Sequence, residues 1–309
     1  MNRENIEVYC FGEALVGFYS NGWGNLNEIG DFHMTWGGDA SNVALAIQKL
    51  GHKASFLGKV GNDFFGSGLL KYWKKIGVET ENVSGDKERF TGLYFIKSND
   101  ENHQFEYRRK NSAAANISKD DIALNNLDKA KIFHLSGITQ AISINSCEVG
   151  FELMKYFKSN DKIISYDLNY REKLWSREYA KTIYKEVLEN YANIFSLSKE
   201  EAQILNLPED PEKAVSELLK YNPDLVILRL GKDGAVIGNK DKIIKSSVFK
   251  TEVEDTVGAG DTFTAAIIVA YLESMDLENM LKFALKAAAY TCRKVGSVEG
   301  QPLRKELNM

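Results

Sequence analysis

The sequence predicts an α/β fold, a doubly wound and mostly parallel sheet with a small β-sheet lid, in a single domain spanning residues 1–309. Three observations lead there. From residue 119 onward short apolar runs alternate with amphipathic stretches, the rhythm of a parallel sheet covered by helices. Segments 14–36 and 90–110 break that rhythm with short alternating, aromatic-rich stretches that suit a separate small sheet. No low-complexity tract and no fixed-period repeat occurs, and none of the four prolines marks a linker.

Residues 6–12 read as a first strand that delivers Gly12 and Glu13 to a crevice. The Gly/Asn-rich stretch 21–25 lies inside the first lid segment. Gly37-Gly38-Asp39-Ala40-Ser41-Asn42 opens a helix with apolar Val43, Ala44, Ile47 and Leu50, closed by Gly51. Residues 54–60 return as a strand, and a helix then runs to Ile76. The alternation in 90–97 and 103–109 around Ser98–Asn102 predicts a hairpin, the second part of the lid. Strands follow at 131–135, 162–168, 193–197 and 224–230, with helices at 146–158, 177–190, near 199–206 and at 211–221. A short hairpin at 235–249 and helices at 262–274 and 277–295 complete the chain.

Composition narrows the function. The chain has 309 residues, 44% hydrophobic and 27% charged, which is ordinary for a globular protein. A net charge of -4 without a dense Lys/Arg cluster gives no reason to expect nucleic acid or an anionic membrane as partner. Three cysteines, Cys10, Cys147 and Cys292, lie in apolar or helical segments without metal-type spacing, as expected in a reducing compartment. No apolar run approaches the roughly 20 residues that span a bilayer. A cytoplasmic location is expected.

The most informative stretch is Asp255-Thr-Val-Gly258-Ala259-Gly260-Asp261-Thr-Phe263, leading into an apolar helix. Two glycines before a helix N-terminus let a ligand approach unpaired amides backed by the positive end of the dipole, which makes an anion site. A carboxylate among those amides, Asp261, could take a proton from a nearby hydroxyl. Amides for a phosphoryl group and a base for an alcohol describe a kinase; the plainer reading is a glycine turn with Asp261 as a cap. Gly37 and Gly38 likewise place a helix N-terminus and Asn42 where a polyhydroxylated ligand could touch them, or simply cap that helix.

The Asp255–Phe263 string closely resembles the C-terminal signature of the ribokinase/PfkB family of sugar kinases. The run from Gly37-Gly38 through Asn42 and Leu50-Gly51 to Gly58-x-Val60-Gly61-x-Asp63-x-x-Gly66 resembles its N-terminal signature. The resemblance implies a ribokinase-like fold and an ATP-dependent sugar kinase, with Asp261 as base and the amides of Gly258, Ala259, Gly260 and Asp261 as the anion hole. Asp255 becomes the second acid of the signature, on the substrate side, or else a cap of the following turn. Gly231-Lys232-Asp233-Gly234 resembles the family's turn near the ATP phosphates. Ser198 stands where the family carries Asn, and Glu201 matches the glutamate that organises Mg²⁺ through water; Ser198 with Glu201 also reads as a capping box. No Walker A sequence is present.

Residues 105–113, 134–139 and 166–176 resemble the family's 2-keto-3-deoxygluconate kinases, with Tyr94, Tyr107, Arg109, Asn169 and Arg171 on substrate positions. Arginine binds a carboxylate bidentately, whereas a neutral sugar needs no guanidinium. Arg108, Arg109 and Lys110 could equally form a solvated face, although alternation puts Tyr107 and Arg109 on one face and Arg108 on the other. The expected reaction is ATP-dependent phosphorylation of 2-dehydro-3-deoxy-D-gluconate on its terminal hydroxyl. A fructokinase, another neutral-sugar kinase, and a catalytically silent sugar-binding regulator are the alternatives. His134 is expected to be a hydrogen-bonded core residue. Tyr19, Trp23, Phe32 and Trp36 are expected to be exposed on the lid, left in water by a monomer unless they cover the substrate or a second subunit, which predicts a homo-oligomer built through the lid.

Overall fold

The computed structural model describes residues 6–20, 30–98, 103–124, 127 and 129–308. In chain order they form β1 (Val8–Phe11), β2 (Leu15–Ser20), β3 (Phe32–Gly37), α1 (Asp39–Lys49), β4 (Ala54–Gly61), α2 (Phe64–Ile76), β5 (Val83–Asp86), β6 (Leu93–Ser98) and β7 (His103–Arg108). The chain continues with β8 (Ile132–Ser136), α3 (Gly137–Ala141), α4 (Ile144–Ser159), β9 (Ile163–Asp167), α5 (Arg177–Asn190), β10 (Ile194–Ser198), α6 (Lys199–Ala202) and α7 (Pro211–Leu219). Last come β11 (Leu225–Arg229), β12 (Ala235–Gly238), β13 (Ile243–Ser246), α8 (Ala259–Leu272) and α9 (Leu277–Thr291).

The main sheet has the order β13-β12-β11-β10-β9-β8-β1-β4-β5, parallel except for the antiparallel edge strands β12 and β13. Strands such as β8 and β11 are buried along their length, because helices cover both faces. One face packs on α1, α8 and α9, with Val43, Ile47, Phe263 and Phe283 in its core; the other packs on α4, α5 and α7 through Leu153, Val187 and Val215. The chain leaves β1 toward β4 on one side and returns as β8 on the other. That reversal opens a crevice at the carboxyl ends of the strands.

The lid is a four-stranded sheet, β3-β2-β6-β7, in which two antiparallel hairpins join through a parallel β2–β6 pairing. Its inner face carries Leu15, Tyr19, Tyr94 and Ile96, packed with Phe105 and Tyr107. Three of the four aromatics expected to be exposed are not. Tyr19 is buried on that inner face, Phe32 is half-buried edge-on to Phe95, and Trp36 stacks on Tyr72 of α2. Trp23 lies outside the described residues. The outer face instead shows Phe18 stacked on Phe95, beside exposed Met34.

The short elements β5 and α3 had no clear sequence signal. Val83-Ser84-Gly85-Asp86 has one apolar residue, sufficient only for an edge strand. Helix α8 starts earlier than expected, at Ala259, because Gly258 already supplies the cap. Helix α9 stops at Thr291, where Cys292 O turns to accept Glu254 N at 2.8 Å. Among the described residues no helix is long and apolar enough to cross a membrane.

Candidate active site

Two helix N-termini face one cavity. Helix α1 begins behind Gly38 (φ 115°) and α8 behind Gly258 (φ 79°), both left-handed. A Cβ at position 38 would come within 2.4 Å of Glu13 O, and one at 258 within 2.3 Å of Ser297 O. Both positions therefore require glycine, for space as well as for φ. The cavity, about 320 Å³, lies between the lid strands and the anion loop and is lined by Gly38, Asn42, Tyr94, Tyr107, Arg109, Asn169, Arg171, Gly258, Gly260 and Asp261, all expected from sequence. A Cβ at Gly260 would meet nothing within 4 Å, so the backbone there is open to a ligand.

Asp261 sits in the first turn of α8 and accepts a hydrogen bond from Asn42 Nδ2 at 2.7 Å. Burial, with the charges of Asp39 and Asp167, pushes its carboxyl up to about 7 against the pull of Asn42 and Arg171. Both protonation states are then populated at neutral pH, as a general base requires. The first-turn amides of Gly260 and Asp261 have no acceptor within the helix. The expected hole of consecutive amides is narrower than the sequence suggested, because Ala259 N donates to Thr256 O at 3.2 Å.

Asp255 is corrected more fully. It is buried outside the cavity lining, and its carboxylate accepts Val257 N and Gly296 N, each at 2.9 Å, so it holds the turn rather than a substrate. Gly37 also lies outside the lining, and a Cβ there would sit 2.8 Å from the Tyr94 hydroxyl, so its role is to make room for that ring.

The lid alternates as expected: Phe105, Tyr107 and Arg109 are half-buried while Glu106, Arg108 and Lys110 are exposed. Arg109 is not a free cation. It pairs with buried Glu13 and lies over the Tyr107 ring at 5.2 Å, leaving its Nε buried without an acceptor. Burial still leaves the Glu13 carboxyl above its ordinary range, despite Arg109. Arg171 is exposed at the cavity with Nη1 on Tyr170 O at 2.8 Å, and it forms no ion pair among the described residues. Asn169, at φ 38°, donates Nδ2 to Asp39 Oδ1 at 2.7 Å, and Ser136 Oγ also bonds Asp39. Its amide is thus engaged by an acid that sequence reasoning passed over, although Asp39 lies between Gly38 and Asn42.

The cavity floor is a second group found only in the structure. Arg229 Nη2 bonds Asp167 Oδ1 at 2.8 Å, Nη1 bonds Oδ2, and Thr264 Oγ1 adds 2.9 Å. Burial raises the Asp167 carboxyl, but Arg229 and Thr264 outweigh it and hold it below the ordinary range. The only signal was position, since both residues end strands that open on the crevice. His134 is buried with Nδ1 3.1 Å from Ser165 Oγ, and burial lowers its pKa to about 4.

At the start of α6, Ser198 and Glu201 form the capping box, with Ser198 N and Tyr170 N donating to Glu201 at 2.7 Å each. Gly231 (φ 59°) and Gly234 (φ 99°) bracket a tight turn in which Leu230 N donates to Gly234 O at 2.8 Å. Lys232 from that turn joins Lys199 and Lys245 around a second cavity of about 430 Å³. Among the described residues there is no group of three or more His, Cys, Asp or Glu side chains able to hold a metal.

A half-buried base at a helix N-terminus, under a lid and beside open amides, defines a phosphotransferase acting on a hydroxyl. The chain matches the model of the pfkB family of carbohydrate kinases over residues 5–304. It belongs to that family, and it is a sugar kinase. It is 29% identical to the 2-dehydro-3-deoxygluconokinase of Bacillus subtilis (strain 168) over 98% of this chain and 94% of that one. It is 30% identical to fructokinase-2 of Solanum lycopersicum over 97% and 94%. A crystal structure of an uncharacterized sugar kinase from Pyrococcus horikoshii in complex with ATP superposes with a TM-score of 0.84, at 28% identity, covering 97% of this chain and 96% of that one.

Proposed function

We propose that this kinase transfers the terminal phosphoryl group of ATP to the terminal hydroxyl of 2-keto-3-deoxygluconate, giving the 6-phosphate and ADP. The observation that carries the sugar-acid reading is Arg171, an exposed guanidinium at the cavity that forms no ion pair among the described residues, although its charge reaches Asp39 and Asp261. A planar guanidinium in that position suits a substrate carboxylate. The buried, unsatisfied Nε of Arg109 offers a further donor. Asp261 takes the hydroxyl proton, the sugar oxygen forms its bond to the terminal phosphorus, and the bond from that phosphorus to the bridging oxygen breaks, releasing ADP. Asn42 orients the base, and the amides at Gly260 and Asp261 receive the charge that develops on the transferring group.

The likeness to an ATP-bound sugar kinase supports ATP as donor. The lysines around the second cavity, Lys199, Lys232 and Lys245, suit its phosphates. A magnesium ion, when bound, would neutralise phosphate charge; Glu201, already engaged by two amides, could reach it only through water. The outer lid face, with Phe18, Phe95 and Met34, supports a homo-oligomer, and three unpaired cysteines fit a cytoplasmic location.

A neutral-hexose reading has its own support in four cavity acids, Glu13, Asp39, Asp167 and Asp261, against three arginines. ADP release measured with 2-keto-3-deoxygluconate and with fructose, in wild type and in Arg171→Leu, separates the two. The sugar acid is expected to be the better substrate and to lose roughly 2–5 kcal/mol in kcat/KM on losing its partner, while fructose barely changes. Faster wild-type turnover of fructose, or equal losses, would transfer the assignment to a fructokinase.

A further inference from the structure

Residues 296–301 bridge the anion loop, α1 and the lid, and Ser297 lines the cavity. Gly296 N donates to Asp255 Oδ2 at 2.9 Å, and Gly258 is packed against the Ser297 backbone, which ties this strap to the anion loop. Gln301 Nε2 donates to Asn42 O at 2.9 Å and Lys49 Nζ to Val298 O at 2.6 Å, which ties it to α1 and to the residue that orients Asp261. Toward the lid, Ser297 Oγ reaches Trp36 O at 3.4 Å, and Thr35 Oγ1 donates to Glu299 Oε1. Thr35 is buried on the inner lid face, paired with Gly17, whose other neighbour is Tyr94 of the cavity wall.

Glu299 is an exposed residue, but both oxygens of its carboxylate are engaged. Its Oε2 accepts Val298 N at 3.1 Å, and a side chain at Gly296 (φ 109°) would come within 2.1 Å of that carboxylate. Apart from this backbone bond, the carboxylate has one described hydrogen-bond partner, and it belongs to the lid. A charge-assisted bond from a buried hydroxyl is stronger than a neutral one.

We propose that Glu299 is a positioning residue that latches the lid: its bond to Thr35 seats the inner lid face over the sugar and, through the strap, registers that face against the anion loop. The inference rests on the kinase chemistry alone and not on which sugar is used. The latch acts on lid seating, so its loss raises the KM for the sugar while the chemistry at Asp261 and the cavity around Lys199, Lys232 and Lys245 stay intact.

The test is a double-mutant cycle with Thr35→Val and Glu299→Gln, in coupled ADP-release assays with 2-keto-3-deoxygluconate, or with fructose if that is what the wild type turns over. Each single variant is expected to raise the sugar KM by about 5- to 20-fold, as for a lost charge-assisted bond, with KM for ATP and kcat within about twofold. The double variant is expected to be no worse than either single one. Additive effects, an unchanged sugar KM, or equal rises in both KM values would overturn the latch. Should Thr35→Val fold poorly, Thr35→Ser keeps the hydroxyl and is expected to retain the wild-type KM alongside a defective Glu299→Gln; a defect in Thr35→Ser equal to that of Glu299→Gln would also overturn it.

Discussion

At the scale of single residues, the site depends on one proton equilibrium. Loss of solvent around the half-buried Asp261, with the negative charges of Asp39 and Asp167, pushes its carboxyl up to about 7, while Asn42, Arg171 and Arg229 favour the anion. The base works ionised, so kcat/KM is expected to fall as pH drops through about 7, and a pH profile measures that limb directly. Asp39→Asn removes a like charge, which makes the anion easier to form; the limb is expected to move to lower pH, and a profile that stays in place would show that Asp39 does not govern it. Asp261→Asn keeps the shape and removes the base, so kcat is expected to drop by about 10²–10⁴-fold with the melting temperature little changed. Turnover near the wild-type rate would remove Asp261 from the mechanism.

Residue types that carry a local rule were legible in the sequence. The glycines at 38, 258 and 260 and the acid at 261 were found because turn and helix-start chemistry is written in adjacent positions. What the sequence hid were pairings between distant strands. Arg109 was expected to face substrate but is shared with Glu13, and the amide of Asn169 holds Asp39. Neither partner is near in sequence, and nothing in periodicity says which of two buried polar groups will find the other.

At the scale of elements, the two converging helix starts carry the fold's main constraint. Strands β8 through β11 were readable because burial on both faces leaves continuous apolar runs. The edge strand β5 and the short helix α3 were not, since each is held by neighbours rather than by its own composition. Gly258→Ala tests the junction of α8 with the strap: φ 79° and the approach of Ser297 O both oppose a side chain. A loss of roughly 1–3 kcal/mol in stability is expected, with a larger proportional loss of activity because the displaced backbone carries the anion site. Chemical denaturation together with ADP release would reveal it, and wild-type behaviour in both would mean that the loop tolerates a second conformation.

At the scale of the whole molecule, a nine-stranded sheet is nearly hidden by helices, whereas the lid has one face covered and the other covered only in part, by Phe65 and Tyr72 of α2. Phe18, Phe95 and Met34 form an apolar row on the other, and a second copy of the same surface would bury it by two-fold symmetry. Sedimentation at micromolar concentration is expected to give a species of twice 34.8 kDa. Phe95→Lys is expected to convert it to monomer, and a wild type that sediments only as monomer would rule the lid interface out.

The parallel β2–β6 pairing also bears on how the chain is made. The first lid hairpin leaves the ribosome well before its partner, which follows only after α1, β4, α2 and β5 have been synthesised. Until then β2 is an unpaired edge whose apolar inner face has nothing to cover it, the kind of surface that recruits chaperones or seeds self-association. The lid sheet is therefore complete only once β6 and β7, ending at Arg108, have followed the first hairpin out. A truncated product ending before β6 could build part of the central sheet and still present a bare strand to its neighbours, so translation speed through residues 38–92 bears on the yield of competent enzyme.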